Sequence, residues 1–197
     1  MGITLRQFEQ LQSRSRRAAP VMAGSVTPAR THSVILGIDP SLRGTGFGVI
    51  RMEKRQAEML VHGTVSCPSN WERSRCLALI ARTVREQIAK LRPTACIVEG
   101  LFYAQNFQTA LIMGEARGAS LVAAAESGLE IFEIAPRKVK QTIVGYGAAQ
   151  KLAVAKMVQR MLNLVEPPPA DAADALALAL AYAQATSRYS FAPPKRV

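Results

Sequence analysis

From Val34 onward the chain alternates between two hydrophobic periods. Val34-Ile35-Leu36-Gly37-Ile38 is an apolar run closed by Asp39, and it predicts a buried strand over 34–39. Ser41-Leu42-Arg43-Gly44 reads as a turn, and 45–52 alternates as a second strand. Residues 60–66 form a third, so the chain opens with an antiparallel meander. The period then lengthens. Leu77, Ile80, Val84, Ile88 and Leu91 line one face of a helix over 71–91, with Asn70 as its expected N-cap and Pro93 as its stop. The opposite face carries Arg73, Arg75, Arg82 and Arg85. A strand over 95–99, a long helix over 107–126 and a strand over 130–135 follow. Pro136 starts a short helix over 137–144. Helices over 148–164 and 170–187 close the domain, separated by Pro167-Pro168-Pro169. The order β-β-β-α-β-α-β-α-α-α predicts an α/β fold around a sheet of mixed direction.

Both ends lack this regularity. Residues 1–32 hold Arg6, Arg14, Arg16, Arg17 and Arg30 against one acid, Glu9. They have neither the apolar core of a secretory signal nor the myristoylation pattern. A basic DNA-binding arm without fixed structure, or upstream sequence ahead of a start at Met22, is expected over an organellar transit peptide. A tail over 188–197 is expected to be unstructured. The folded domain is therefore placed at 33–187, in a 197-residue chain long enough for one core.

Charge narrows the class of partner. Lys and Arg total 25 against 14 Asp and Glu, a net charge of +11, which suits a polyanion such as nucleic acid. No run of 18 apolar residues occurs, so no membrane partner is expected. Three cysteines, Cys67, Cys76 and Cys96, lack metal-ligand spacing, and a reducing, cytoplasmic setting is expected.

Against that basic background, the acids stand out. Only three aspartates occur, and each lies in an apolar setting. Asp39 ends one hydrophobic run, and Glu99 ends another, Ala95-Cys96-Ile97-Val98. Asp171 and Asp174 are three residues apart among Ala and Leu, and so share one helix face. Functional groups gather at strand ends. Should the two strands be neighbours with the helix across them, four carboxylates converge. Their mutual repulsion is relieved by a hard divalent cation, which prefers oxygen ligands. Such a cluster is built for hydrolysis at phosphorus assisted by two ions about 4 Å apart. Each acid also has a plainer reading. Asp171 would cap its helix, Asp39 before Pro40 would begin a turn, and Glu99 would pair with a core arginine. Asp174 has no such alternative.

These segments resemble the RuvC-type crossover junction endodeoxyribonucleases. Ile35-Leu36-Gly37-Ile38-Asp39-Pro40 with Thr45-Gly46-Phe47-Gly48-Val49-Ile50 is similar to their opening hairpin. Ile97-Val98-Glu99 and Phe102, Gly114-Glu115-Ala116-Arg117-Gly118, Val139-Lys140-Gln141-Thr142 through Gly147 and Lys151, and Ala170-Asp171-Ala172-Ala173-Asp174-Ala175-Leu176-Ala177 follow in family order, from about 34 to 185. The resemblance implies an RNase H-like fold with a mixed five-stranded sheet flanked by helices. It implies a homodimeric Holliday junction resolvase that nicks four-way DNA junctions in symmetric pairs and leaves 5′-phosphate ends. It further implies Mg²⁺, two ions per site, with Mn²⁺ able to substitute, and a RuvA–RuvB branch-migration partner in recombination and repair. By position, Asp39, Glu99, Asp171 and Asp174 match the catalytic and metal-binding acids, although some relatives have histidine in place of Asp171. Phe102 matches an aromatic that stacks on a base at the crossover, a contact worth about 1–3 kcal/mol. Its plainer reading is a core phenylalanine. Lys140 and Lys151 match lysines near the scissile phosphate, and Lys138 extends that patch; a solvated lysine face is the alternative.

The chain departs from the pattern at Ser41, where glycine is usual, at Gly100, where a longer polar residue is common, and at Gln105, where lysine is frequent. A related nuclease acting on RNA or RNA–DNA hybrids is the alternative activity, since it would share the acids. An ATPase of the actin or sugar-kinase type would need a second phosphate hairpin, and none is visible here. The third alternative is a basic DNA-binding module without catalysis.

Overall fold

A computed structural model describes residues 32–100, 107–186 and 194–197. All of them fall in one compact unit, Thr31–Val197. The elements are β1 (Val34–Asp39), β2 (Gly44–Glu53), β3 (Gln56–Ser66), α1 (Arg73–Leu91), β4 (Ala95–Glu99), α2 (Phe107–Glu126), β5 (Glu130–Ile134), α3 (Pro136–Val144), α4 (Lys151–Met161), α5 (Ala170–Thr186) and β6 (Lys195–Arg196). The basic N-terminal segment expected over 1–32 lies almost wholly outside the described residues.

One sheet runs β3-β2-β1-β4-β5-β6. β1 is antiparallel to β2 and parallel to β4; β4 is parallel to β5. The sheet is mixed, as expected, but has six strands rather than five. The sixth comes from the tail expected to be unstructured: Lys195 and Arg196 pair with Glu133 and Phe132 of β5.

Alternation along each strand assigns its two faces. Ile35, Ile50, Ala95, Ile97 and Ile134 point to the side covered by α3, α4 and α5. Leu36, Ile38, Val49, Cys96, Val98 and Ile131 point to the other, where Val84 and Ile88 of α1 and Ala123 and Ala124 of α2 meet them. The three cysteines are free and buried.

Three element boundaries differ from expectation for local reasons. β3 begins at Gln56, not residue 60, because Lys54 and Arg55 make a two-residue turn with φ of 45° and 77°. Two left-handed residues match the strand twist, but Lys-Arg lacks the usual Asn-Gly signal. α1 starts at Arg73 after Glu72; a turn in which the Trp71 N–H donates to Pro68 O intervenes, so Asn70 is not the cap. α4 spans only Lys151–Met161, and the Gln159 side chain donates to the carbonyls of Leu164 and Val165 as the chain leaves. Other punctuation acts as read. Pro136 opens α3, Gly145 closes it at φ 101°, and Arg92 ends α1 ahead of Pro93.

The decisive packing is that of α5 on β1 and β2. Gly37 pairs with Gly48 and Asp39 with Gly46, so the two strands present bare backbone to the helix. A Cβ on Gly37 would lie 2.0 Å from the Ala175 carbonyl oxygen, and one on Gly46 would lie 2.0 Å from that of Asp171. At Gly48 it would meet the Leu176 side chain at 2.6 Å. The helix therefore rests directly on the sheet, its face from Ala172 to Tyr182 almost wholly buried.

Gly37→Ala puts a methyl group against backbone that has nowhere to go. We expect it to destabilise the fold by at least about 3 kcal/mol, lowering the melting temperature by roughly 6–12 °C. Thermal unfolding followed by circular dichroism measures this; an unchanged midpoint would show that α5 is free to lift.

Candidate active site

Register explains how distant acids meet. β1 and β4 are parallel neighbours with Ile38 opposite Val98, so the next residues, Asp39 and Glu99, end their strands side by side. Both continue the alternation of Ile35, Gly37, Ala95 and Ile97, and therefore face α5. The glycine platform brings the start of α5 down on the same edge. Asp171 lies in the first turn of α5, inside the helix rather than capping it, where its charge favours the helix dipole. Its Oδ2 is 2.9 Å from where a Gly44 Cβ would be, so Gly44 leaves that carboxylate its space. Asp174 follows one turn later, about one-fifth exposed.

The four acids act on one another. Burial pushes the Asp39 carboxyl from 3.8 up to about 7, and the charges of Glu99, Asp174 and Asp171 push the same way, against Lys151. Glu99 is also raised, mainly by burial and then by Asp174, while Lys151, Lys140 and a hydrogen bond from Asp39 favour its charged form. Asp39 therefore holds its proton well above the usual carboxylate range, and its hydrogen bond to Glu99 favours the charged form there. The Lys151 ammonium, at the start of α4, sits 3.0 Å from Asp174 Oδ2. Its own affinity for a proton rises chiefly through that hydrogen bond.

Among the described residues no three His, Cys, Asp or Glu side chains converge tightly on a single point. The Lys151 ammonium lies against an Asp174 oxygen that a cation could also take. The donor set nevertheless fits a hard divalent ion: the neighbouring acids offer only oxygen, and burial, with their mutual repulsion adding to it, raises two of them in a way that positive charge would relieve. Asp39, Glu99, Asp171 and Asp174 are the residues that would hold it.

The remaining candidates divide. Lys140 on α3 and Lys151 on α4 reach the cluster electrostatically. Lys138 is exposed on α3 and is not among the charges that move Asp39 or Glu99. Phe102 and Gln105 lie outside the described residues. Gly100 has a local reason: a Cβ there would lie 3.1 Å from Glu133 Cγ, so a longer side chain would displace Glu133.

Arg117 has a function that its place within Gly114–Gly118 does not announce. From α2 its Nη2 donates to Glu133 Oε2 at 2.5 Å and its Nε to the Glu99 carbonyl at 3.3 Å, largely shielded from solvent. A core arginine therefore does serve Glu99, but through the backbone. Its ion pair is with Glu133, which leaves the Glu99 carboxylate directed to the cluster. An arginine between two small residues in an otherwise apolar helix was the available signal. Gly44, Gly46 and Gly48, at strand period, were the corresponding signal of a bare sheet face.

Comparison with known proteins agrees over the whole folded region. The family model for crossover junction endodeoxyribonuclease RuvC matches residues 35–182. The crossover junction endodeoxyribonuclease RuvC of Akkermansia muciniphila is 46% identical over 148 residues, covering 75% of this chain and 89% of the relative. The structure of T. thermophilus RuvC in complex with Holliday junction substrate is 34% identical, with a TM-score of 0.75 over 84% of this chain and all of that one. The yeast mitochondrial Holliday junction resolvase Ydc2 shares the fold at 11% identity, TM-score 0.57, over 80% of this chain and 81% of its own.

The raised Asp39 makes a prediction for the metal-free protein. Its folded value lies above its unfolded one, so its favourable contribution is complete below about pH 4 and is lost as pH climbs through about 7. Asp39→Asn removes that loss. Calorimetry with chelator present should find similar melting temperatures near pH 4, and the variant roughly 2–8 °C higher at pH 8. A wild type at least as stable at pH 8 would contradict the raised Asp39.

Proposed function

This chain belongs to the RuvC family of crossover junction endodeoxyribonucleases, and from that membership we propose that it resolves Holliday junctions by paired nicks in four-way DNA. The observation that carries the reading to particular residues is the side-by-side ending of β1 and β4, with α5 resting on glycine above them. Asp39, Glu99, Asp171 and Asp174 are the catalytic acids, and they hold divalent cations, Mg²⁺ by preference, two per site, with Mn²⁺ as substitute. When bound, such ions polarise the phosphate and offset charge developing at phosphorus.

The chain's own groups prepare that chemistry. Asp39, whose carboxyl is raised by burial, gives up its proton as positive charge reaches the cluster. Lys151, released from Asp174, turns its ammonium to a phosphate oxygen, and Lys140 adds positive charge beside Glu99. Arg117 keeps the end of β4 from shifting as charge changes above it. Water then attacks phosphorus and the 3′ oxygen leaves, giving a 5′-phosphate. Lys138 contacts DNA further out, and Phe102 supplies the aromatic that stacks at the crossover.

Symmetric nicks call for two active sites, and α2 carries the surface for pairing. Phe107 is 76% exposed, Leu111 51% and Val122 52%, along one stripe with Gly114 and Gly118. A Cβ on either glycine would meet nothing within 4 Å, so neither serves packing against the sheet. A second copy covering this stripe makes the homodimer. The work is cytoplasmic, with a RuvA–RuvB complex as partner; no described helix is long and apolar enough to cross a membrane.

Asp174→Asn should retain binding to a four-way junction in gel shifts while nicking falls at least about a hundredfold. Wild-type nicking by this variant would end the metal-site assignment. Parallel assays on an RNA–DNA hybrid separate the two nuclease readings, with cleavage expected on the junction only. Leu111→Glu should turn a dimer into a monomer by sedimentation and uncouple the paired nicks. A dimer that survives the charge would move the interface elsewhere.

A further inference from the structure

The outer edge of β5 is closed by the C-terminal tail, and the tail meets it at Glu133, a residue that bears on Glu99. Lys195 lies opposite Glu133 and Arg196 opposite Phe132, in antiparallel register. The Val197 N–H donates to the Ile131 carbonyl at 3.0 Å, and Arg196 reaches Glu130 at 3.8 Å. Antiparallel pairs alternate between bonded and non-bonded, so Glu133 and Lys195 are the next pair after Ile131 and Val197 to exchange ladder hydrogen bonds. Without β6, β5 would be an edge strand with those backbone groups turned to water.

Glu133 acts on the end of β4 in two ways. Its Oε2 accepts from Arg117 at 2.5 Å, and the same guanidinium donates to the Glu99 carbonyl at 3.3 Å. Its Cγ lies 3.1 Å from where a Cβ on Gly100, the residue after Glu99, would be. The Gly100 N–H donates to the Ile134 carbonyl at 3.0 Å, so β5 holds the chain just past the acid by its backbone as well. The Arg117 and Glu133 side chains are only 12% and 27% exposed, which screens their ion pair from water and favours one fixed geometry. The end of β4 is thus fastened to β5, and β5 is fastened on its far side by the tail. That last fastening is the weakest. Lys195, Arg196 and Val197 are exposed, and a short strand outside the core opens at little cost.

We propose that β6 is a positioning strand for Glu99. Its pairing fixes β5 at Glu133, and the Glu133–Arg117 pair carries that order to the acid. The tail is therefore a removable support, and lifting it loosens Glu99 while Asp171 and Asp174, on α5, keep their places. The effect on nicking rests on the activity proposed above; the mechanical link from tail to Glu99 does not.

The test uses the full chain and two readouts: nicking of a four-way junction, and hydrogen exchange at the Gly100 amide followed by NMR. Lys195→Pro removes a ladder N–H at an exposed position and leaves the core alone. Its Gly100 amide should exchange severalfold faster. Its nicking rate at saturating junction should fall about tenfold, the low end for losing a group that orients a metal ligand. The half-saturating junction concentration should stay the same, which separates lost order at Glu99 from a lost DNA contact. Lys195→Thr, which keeps the N–H, should recover both readouts. Glu133→Gln should reproduce the defect, and adding Lys195→Pro to it should cost little more, because the two lie on one path. Unchanged Gly100 exchange in Lys195→Pro would overturn the link, whatever happens to nicking. Faster exchange in that variant, with a wild type unable to nick four-way junctions, would overturn the resolvase reading and support the link.

Discussion

The contact of α5 with bare backbone at Gly37, Gly46 and Gly48 governs everything at this site. A helix normally stands about 10 Å from a sheet, separated by side chains from both. Here β1 and β2 supply none along the line of contact, and the helix carbonyls of Asp171 and Ala175 approach the strands directly. Only that proximity lets short aspartate side chains on a helix share an electrostatic environment with Asp39 and Glu99. Alanine, leucine and tyrosine on α5 bury deeply on either side of the contact, so the close approach is stabilised by ordinary apolar packing.

Gathering these acids opposes folding, and the structure answers with positive charge and geometry. Burial and the neighbouring acids raise Asp39, whose hydrogen bond favours charge on Glu99, and Lys151 caps Asp174. On the opposite side of the sheet, Arg117 binds Glu133 and the Glu99 backbone, so the strand end is restrained without neutralising the carboxylate. Stability is conceded locally where function needs unsatisfied charge, as is usual at sites of this kind.

Much of this was legible before folding was considered. Asp39 and Glu99 were conspicuous because each closed an apolar run, and Asp171 and Asp174 because their neighbours were Ala and Leu. Helix periods placed Ile80, Val84 and Ile88 in the core, and Pro136 and Gly145 bracketed α3. Other features had no adequate local signal. Lys54-Arg55 does not look like a tight turn, and the pairing of Lys195 and Arg196 with β5 depends on an edge that only the assembled sheet provides. The Arg117–Glu133 pair joins residues on different elements, and nothing in their spacing announces it.

The sequence by itself singled out Asp39, Glu99, Asp171 and Asp174 and which face of each element they share, because period and composition are local properties of the chain. It also determined that one strand face would be bare, through glycines at every second position of β2. The tertiary structure alone decided that β1 and β4 are parallel neighbours in the register that sets Asp39 beside Glu99. It likewise decided that α5, rather than α3 or α4, lies over them, and that Lys151 rather than Lys138 reaches the acids. Those outcomes depend on pairings between segments far apart in the chain. Such pairings are selected by the fit of the whole core, and no local pattern encodes them.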